Sequence, residues 1–159
     1  MKKLFLIFLS LFLCTGCHSS HSEITNKQLS HYNKIVKILK KGHEDTKCPC
    51  DIKVKYVPLG NYYSYSVIID NPKEDMYNIQ ALSYSPEIKD EYHPTIGFFD
   101  HVPYHLIPGK IDKAHHFYKG VAISGRVNKK TKIRVFIQYS QDQDNKVIKT
   151  SYKEIVHEN

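Results

Sequence analysis

The sequence predicts an all-β chain, an antiparallel β-sandwich of immunoglobulin-like architecture preceded by one amphipathic N-terminal helix. Three observations point there. From Asp51 onward, apolar and polar residues alternate with period two, the pattern of half-buried strands. Turn residues, such as Pro58-Leu59-Gly60-Asn61, Asp70-Asn71-Pro72 and Asp144-Asn145, cut the alternation into short runs. The aromatic stock is Tyr, with 12 of them and no Trp, and strands favour that residue. At 159 residues, 41% hydrophobic and 25% charged, the composition is that of one ordinary globular domain. Four Cys are too few for a disulfide-dense scaffold.

The helix is expected over 26–41. Thr25 and Gln28 fit a capping box, and Leu29, Tyr32, Ile35, Val36, Ile38 and Leu39 recur at helical spacing. Lys37, Lys40 and Lys41 crowd the last turn, where the helix dipole favours cations, and Gly42 is placed as a stop. Such a helix can lie on anionic lipid, but packing of its apolar stripe on the following domain is the commoner arrangement. The sandwich is then expected over 51–159, with 25–50 forming the helix and its joint. In the first run Ile52, Val54 and Tyr56 alternate with Lys53 and Lys55; in the second Tyr63, Tyr65, Val67 and Ile69 face one way. Runs over 76–84, 95–99, 117–124, 132–139 and 147–155 complete about seven strands. An irregular stretch through Pro103, Pro108 and Gly109 interrupts them.

Residues 1–17 read MKKLFLIFLSLFLCTGC. Lys2 and Lys3 precede an apolar stretch, then small Thr15 and Gly16 lead to Cys17, the plan of an export signal. The apolar stretch is about half the length a spanning helix needs. Its end resembles the lipobox of bacterial lipoproteins, in which a small residue precedes a lipidated cysteine. The resemblance covers residues 1–17 alone, and Cys14 stands where that family usually places Leu. It implies that 1–16 are removed, that Cys17 carries a thioether-linked diacylglycerol, and that 17–24 form a short tether. The protein would then be lipid-anchored in a cell membrane or outer membrane, facing the periplasm or the cell exterior. Removing the signal takes the net charge from +7 to +5 and half of the Leu, leaving a fold that leans on Ile, Val and Tyr.

Two groups of residues bear on chemistry. Cys48-Pro49-Cys50 has neither the C-x-x-C spacing of thioredoxin-like sites nor the paired spacing of zinc sites. A disulfide between Cys48 and Cys50 would close a tight ring that is easily reduced, able to exchange or, as thiols, to hold a soft metal. A local bridge at a helix-to-strand joint is the simpler reading. Second, His101, His105, His115 and His116 are candidate ligands for Zn or Cu, His being a common metal ligand. Pro103 breaks any helix pairing His101 with His105, so such a site would be loop-borne. Solvated or core-edge histidines are the ordinary alternative. No cofactor is otherwise expected, and no nucleophile elbow or catalytic carboxylate pair stands out.

Nucleic acid is a poor partner for an exported chain with only two arginines, Arg126 and Arg134. The sequence therefore points to a membrane-anchored, noncatalytic binding module for a protein or envelope component. Its expected surface is Tyr92, His93, Phe98, Phe99, Tyr104 and Tyr118, in the irregular segment. Metal binding or delivery by the His-rich loop is the alternative function.

Overall fold

The computed structural model describes residues 24–45, 47–88, 90–100 and 102–156. The signal, Cys17 and His101 lie outside the described residues. The helix α1 spans Asn26–Lys41, the bounds the capping signals predict. The Thr25 hydroxyl accepts the Gln28 N–H at 3.2 Å, and Gln28 Oε1 accepts the Thr25 N–H at 2.9 Å. Gly42 ends the helix at φ 82, its N–H donating to the Leu39 carbonyl.

Seven strands follow: β1 (Asp51–Leu59), β2 (Tyr62–Asp70), β3 (Tyr77–Tyr84), β4 (Thr95–Ile96), β5 (Gly120–Val127), β6 (Ile133–Ser140) and β7 (Ile148–Ile155). They form two antiparallel sheets, ordered β1-β2-β5 and β4-β3-β6-β7. One apolar core draws on both sheets, which makes the arrangement sandwich-like. Tyr65, Val67 and Ile69 of β2 and Ile123 and Val127 of β5 share it with Ile79 and Ala81 of β3 and Val135, Ile137 and Tyr139 of β6. Alternation within β2, β5 and β6 assigns these residues to the inner faces.

A second core lies on the other face of the four-stranded sheet. There Leu82, Tyr84 and Phe136 meet Tyr32, Ile35 and Leu39 of α1, with Phe98 wedged among them. The apolar stripe of α1 thus packs on the domain. Arg134 fastens its C-terminal end: Nη1 donates to the Leu39 and Lys40 carbonyls at 2.8 and 3.0 Å, and Nε to Glu154 at 2.5 Å.

Two strands differ from expectation. The fourth stops at Ile96, because Gly97 adopts φ 72 so close to β3 that a Cβ would lie 2.2 Å from the Ile79 carbonyl oxygen. The fifth starts at Gly120, because Phe117 is held upstream by bridges to His105 and Asp112. The irregular segment is itself anchored. Leu106 exchanges backbone hydrogen bonds with Met76, and the Tyr104 carbonyl accepts from Ile79, so the segment runs beside β3. At the opposite edge of that sheet, the joint after α1 lies along β7. The Asp45 N–H donates to Tyr152, and the Tyr152 N–H returns to the Asp45 carboxylate at 2.8 Å.

Candidate functional site

Three places combine suitable residue types with a defined geometry. The first is the joint between α1 and β1. Residues two apart on extended chain point the same way, and the bend at Pro49 and Cys50 brings the two sulfurs to 3.8 Å. The Pro49 carbonyl accepts the Lys73 N–H at 2.8 Å, which fixes the bend. Cys50 is buried in the main core, whereas Cys48 is half-buried and lines a cleft of about 480 Å³. Lys47, Lys73, Glu74, Tyr139, Lys149 and Ser151 also line it. Glu74 accepts from the Tyr139 hydroxyl, from Gln141 at 2.6 Å and from Lys149 at 2.9 Å. Those donors, Tyr139 first, hold its carboxyl below the usual range.

The two thiols are unequal. A hydrogen bond with Cys50 pulls the Cys48 thiol below its ordinary range, assisted by the Cys50 backbone, the Ser151 hydroxyl and the Lys73 charge, against the opposing effect of burial. The same bond, then burial, pushes the Cys50 thiol up. Cys48 is the sulfur that lines the cleft, and its surroundings favour the thiolate there.

The second place is the His- and Tyr-rich segment, whose candidate residues are divided among different tasks. His105 Nδ1 accepts the Asn78 backbone N–H at 3.1 Å, and its ring lies tilted against Phe117 with centroids 5.0 Å apart. A neutral imidazole accepting at Nδ1 carries its proton on Nε2, so neither nitrogen offers a free lone pair to a metal. Burial first, then His116 and Lys110, lowers its pKa and favours that neutral form. His115 pairs with Asp112 at 2.6 Å in an exposed turn, and His116 lies 3.3 Å from the Tyr118 hydroxyl. Among the described residues, no group of three or more His, Cys, Asp or Glu forms a metal-holding cluster.

Tyr92, His93, Phe98 and Phe99 gather around α1. Phe98 is 2% exposed, and Tyr32 meets Tyr92, Phe98 and Phe99 with ring centroids 5.3–6.2 Å apart. The His93 N–H donates to the Tyr32 hydroxyl at 2.6 Å. These residues hold the helix down, and only Tyr92 keeps substantial exposure. Tyr104 and Tyr118 stand elsewhere, 5.9 Å apart against the main core. Tyr118 also borders a cleft of about 350 Å³ between the end of β2 and the 107–119 segment. Exposed Ile111 supplies its apolar wall, and Asp70, Lys110 and Lys119 its charges.

The third place is the outer face of α1. At about 100° per residue, Lys34, Lys37 and Lys41 fall within about 50° of the direction opposite the buried stripe, with Lys27 and Lys40 on its two flanks. All five are exposed, and the helix contains no Asp or Glu. No ion pair among the described residues involves any of them. Among the described residues, no helix is long and apolar enough to cross a membrane.

The alternation of Cys48 and Cys50 was open to sequence reasoning; their neighbours Lys73, Tyr139, Lys149 and Ser151 were not, since distant chain segments deliver them. Comparison with protein-family models, with curated proteins and with solved structures finds no match.

Proposed function

We propose that the chain is a lipoprotein attached through Cys17, with α1 lying lysine face down on an anionic bilayer and the sheets presented outward as a noncatalytic binding module. The lysine face of α1 carries this reading. Its buried stripe leaves those lysines directed away from the protein, where a negatively charged surface neutralises them. Eight residues lie between Cys17 and Asn26, and the nine steps reach about 30 Å at full extension. Anchoring thus keeps the helix close to the bilayer, and each lysine brought within a Debye length adds about 1 kcal/mol. The strand order supports an immunoglobulin-like reading of the sandwich, with the first, second and fifth strands in one sheet and the fourth beside the third in the other.

The partner is a protein or envelope component engaged on the side away from the membrane, and the cleft beside Ile111 and Tyr118 is the concave surface offered to it. Zinc or copper binding by the His-rich segment is the rival function, and the separate partners of His105, His115 and His116 weigh against it. It would also need His101, outside the described residues. Mass analysis of the mature chain tests the anchor: the expected N-terminus is Cys17 bearing a diacylglycerol. An unlipidated chain starting at another residue overturns it.

A further inference from the structure

We infer that Cys48 and Cys50 form a thiol–disulfide exchange site for protein disulfides, with Cys48 as the attacking sulfur and Cys50 as the resolving one. The site is independent of the binding reading above. Two thiols packed only as small apolar groups would both be inert and buried. Here one is buried in the core and the other lines a cleft of about 480 Å³, with the sulfurs in contact at 3.8 Å. Closing the ring needs an approach of under about 2 Å between sulfurs that already share a bend. Lys73 and Ser151 line the cleft with Cys48, where a cation and a hydroxyl favour the thiolate.

The exchange balances without an outside reagent. The Cys48 thiolate attacks one sulfur of a partner disulfide; a Cys48–partner S–S bond forms and the partner's own S–S bond breaks. The departing partner thiolate takes the Cys50 proton. The Cys50 thiolate then attacks Cys48 Sγ, closing the Cys48–Cys50 bond and releasing the second partner sulfur as thiolate. Two electrons pass from the cysteine pair to the partner, which leaves with both sulfurs reduced. The reverse sequence hands the disulfide to a partner dithiol.

The test exposes the full mature chain, first reduced, to oxidised glutathione and follows mass. Wild type should end two hydrogens lighter, with no glutathione retained. Cys50→Ala should stop as a glutathione adduct on Cys48, while Cys48→Ala should leave Cys50 unmodified on the same timescale. Iodoacetamide alkylation of Cys48 should show a midpoint below that of an ordinary thiol, and Cys50→Ala should raise it. Circular dichroism melts identify any variant that has not folded, in which case the wild-type mass and pH profile decide alone. A wild-type chain that keeps glutathione, stays a dithiol, or alkylates with a midpoint no lower than that of an ordinary thiol overturns the assignment.

Discussion

His105 serves the fold through one nitrogen. The pairing of β3 with β6 slips between Tyr77 and Gln80, and Asn78 sits in that irregularity at φ 49. Its N–H is donated to His105 Nδ1. His105→Ala should cost about 1–3 kcal/mol, the penalty of leaving a backbone donor without its acceptor. Chemical denaturation measures it, and His105→Gln, which can still accept, should recover part of the loss. The same bond sets a pH dependence. The folded-state pKa of His105 lies below its unfolded value, so its contribution is complete above the unfolded pKa of about 6.5 and disappears as pH falls through the folded value. His31 and His93 are also lowered, chiefly by burial, and add in the same direction. Stability should therefore decline between pH 7 and about pH 5, and His105→Gln should flatten part of that slope. An unchanged denaturation midpoint over this range would contradict the tautomer argument. From sequence, His105 resembled a ligand because residue type was visible and its hydrogen-bond partner was not.

Among the elements, α1 shows what local sequence does and does not carry. Both ends were readable from Thr25, Gln28 and Gly42, since capping is a contact between near neighbours. Its docking place was not. Leu82, Phe136 and Phe98 sit on the outward side of a sheet whose inward side is equally apolar, and period-two alternation cannot say which face a helix will cover. The same blindness made Phe98 look like surface. Three substitutions probe the joint. Phe98→Ala should cost about 3–5 kcal/mol, because that ring is buried between the helix and the sheet. Arg134→Met should cost about 2 kcal/mol by freeing the Leu39 and Lys40 carbonyls, and should speed hydrogen exchange in the last turn of α1 more than in β2. Gly97→Ala should destabilise through both its positive φ and the clash with the Ile79 carbonyl. Equal exchange in wild-type and Arg134→Met helices would show that the arginine does not fasten α1.

At the scale of the whole molecule, alternation and turn signals located all seven strands, with errors where Gly97 and Phe117 obey contacts from remote segments. Sheet order and the cleft around Cys48 depend on such remote contacts throughout. The same folding that buries one side of α1 in the sheet turns its other side into a row of lysines, and the proposal that α1 lies on a bilayer rests on this division. Lys34, Lys37 and Lys41 mark the face that should meet the bilayer, while Lys55 and Lys130, exposed on β1 and before β6, serve as references. The direct measurement reconstitutes the lipidated mature chain into vesicles of phosphatidylglycerol or of phosphatidylcholine and compares amine acylation at each lysine by mass spectrometry. Modification of the three helix lysines should fall severalfold relative to Lys55 and Lys130 in phosphatidylglycerol alone, and the protection should fade at high salt. Equal modification of helix and reference lysines in both kinds of vesicle, on a chain whose Cys17 is lipidated, would contradict it.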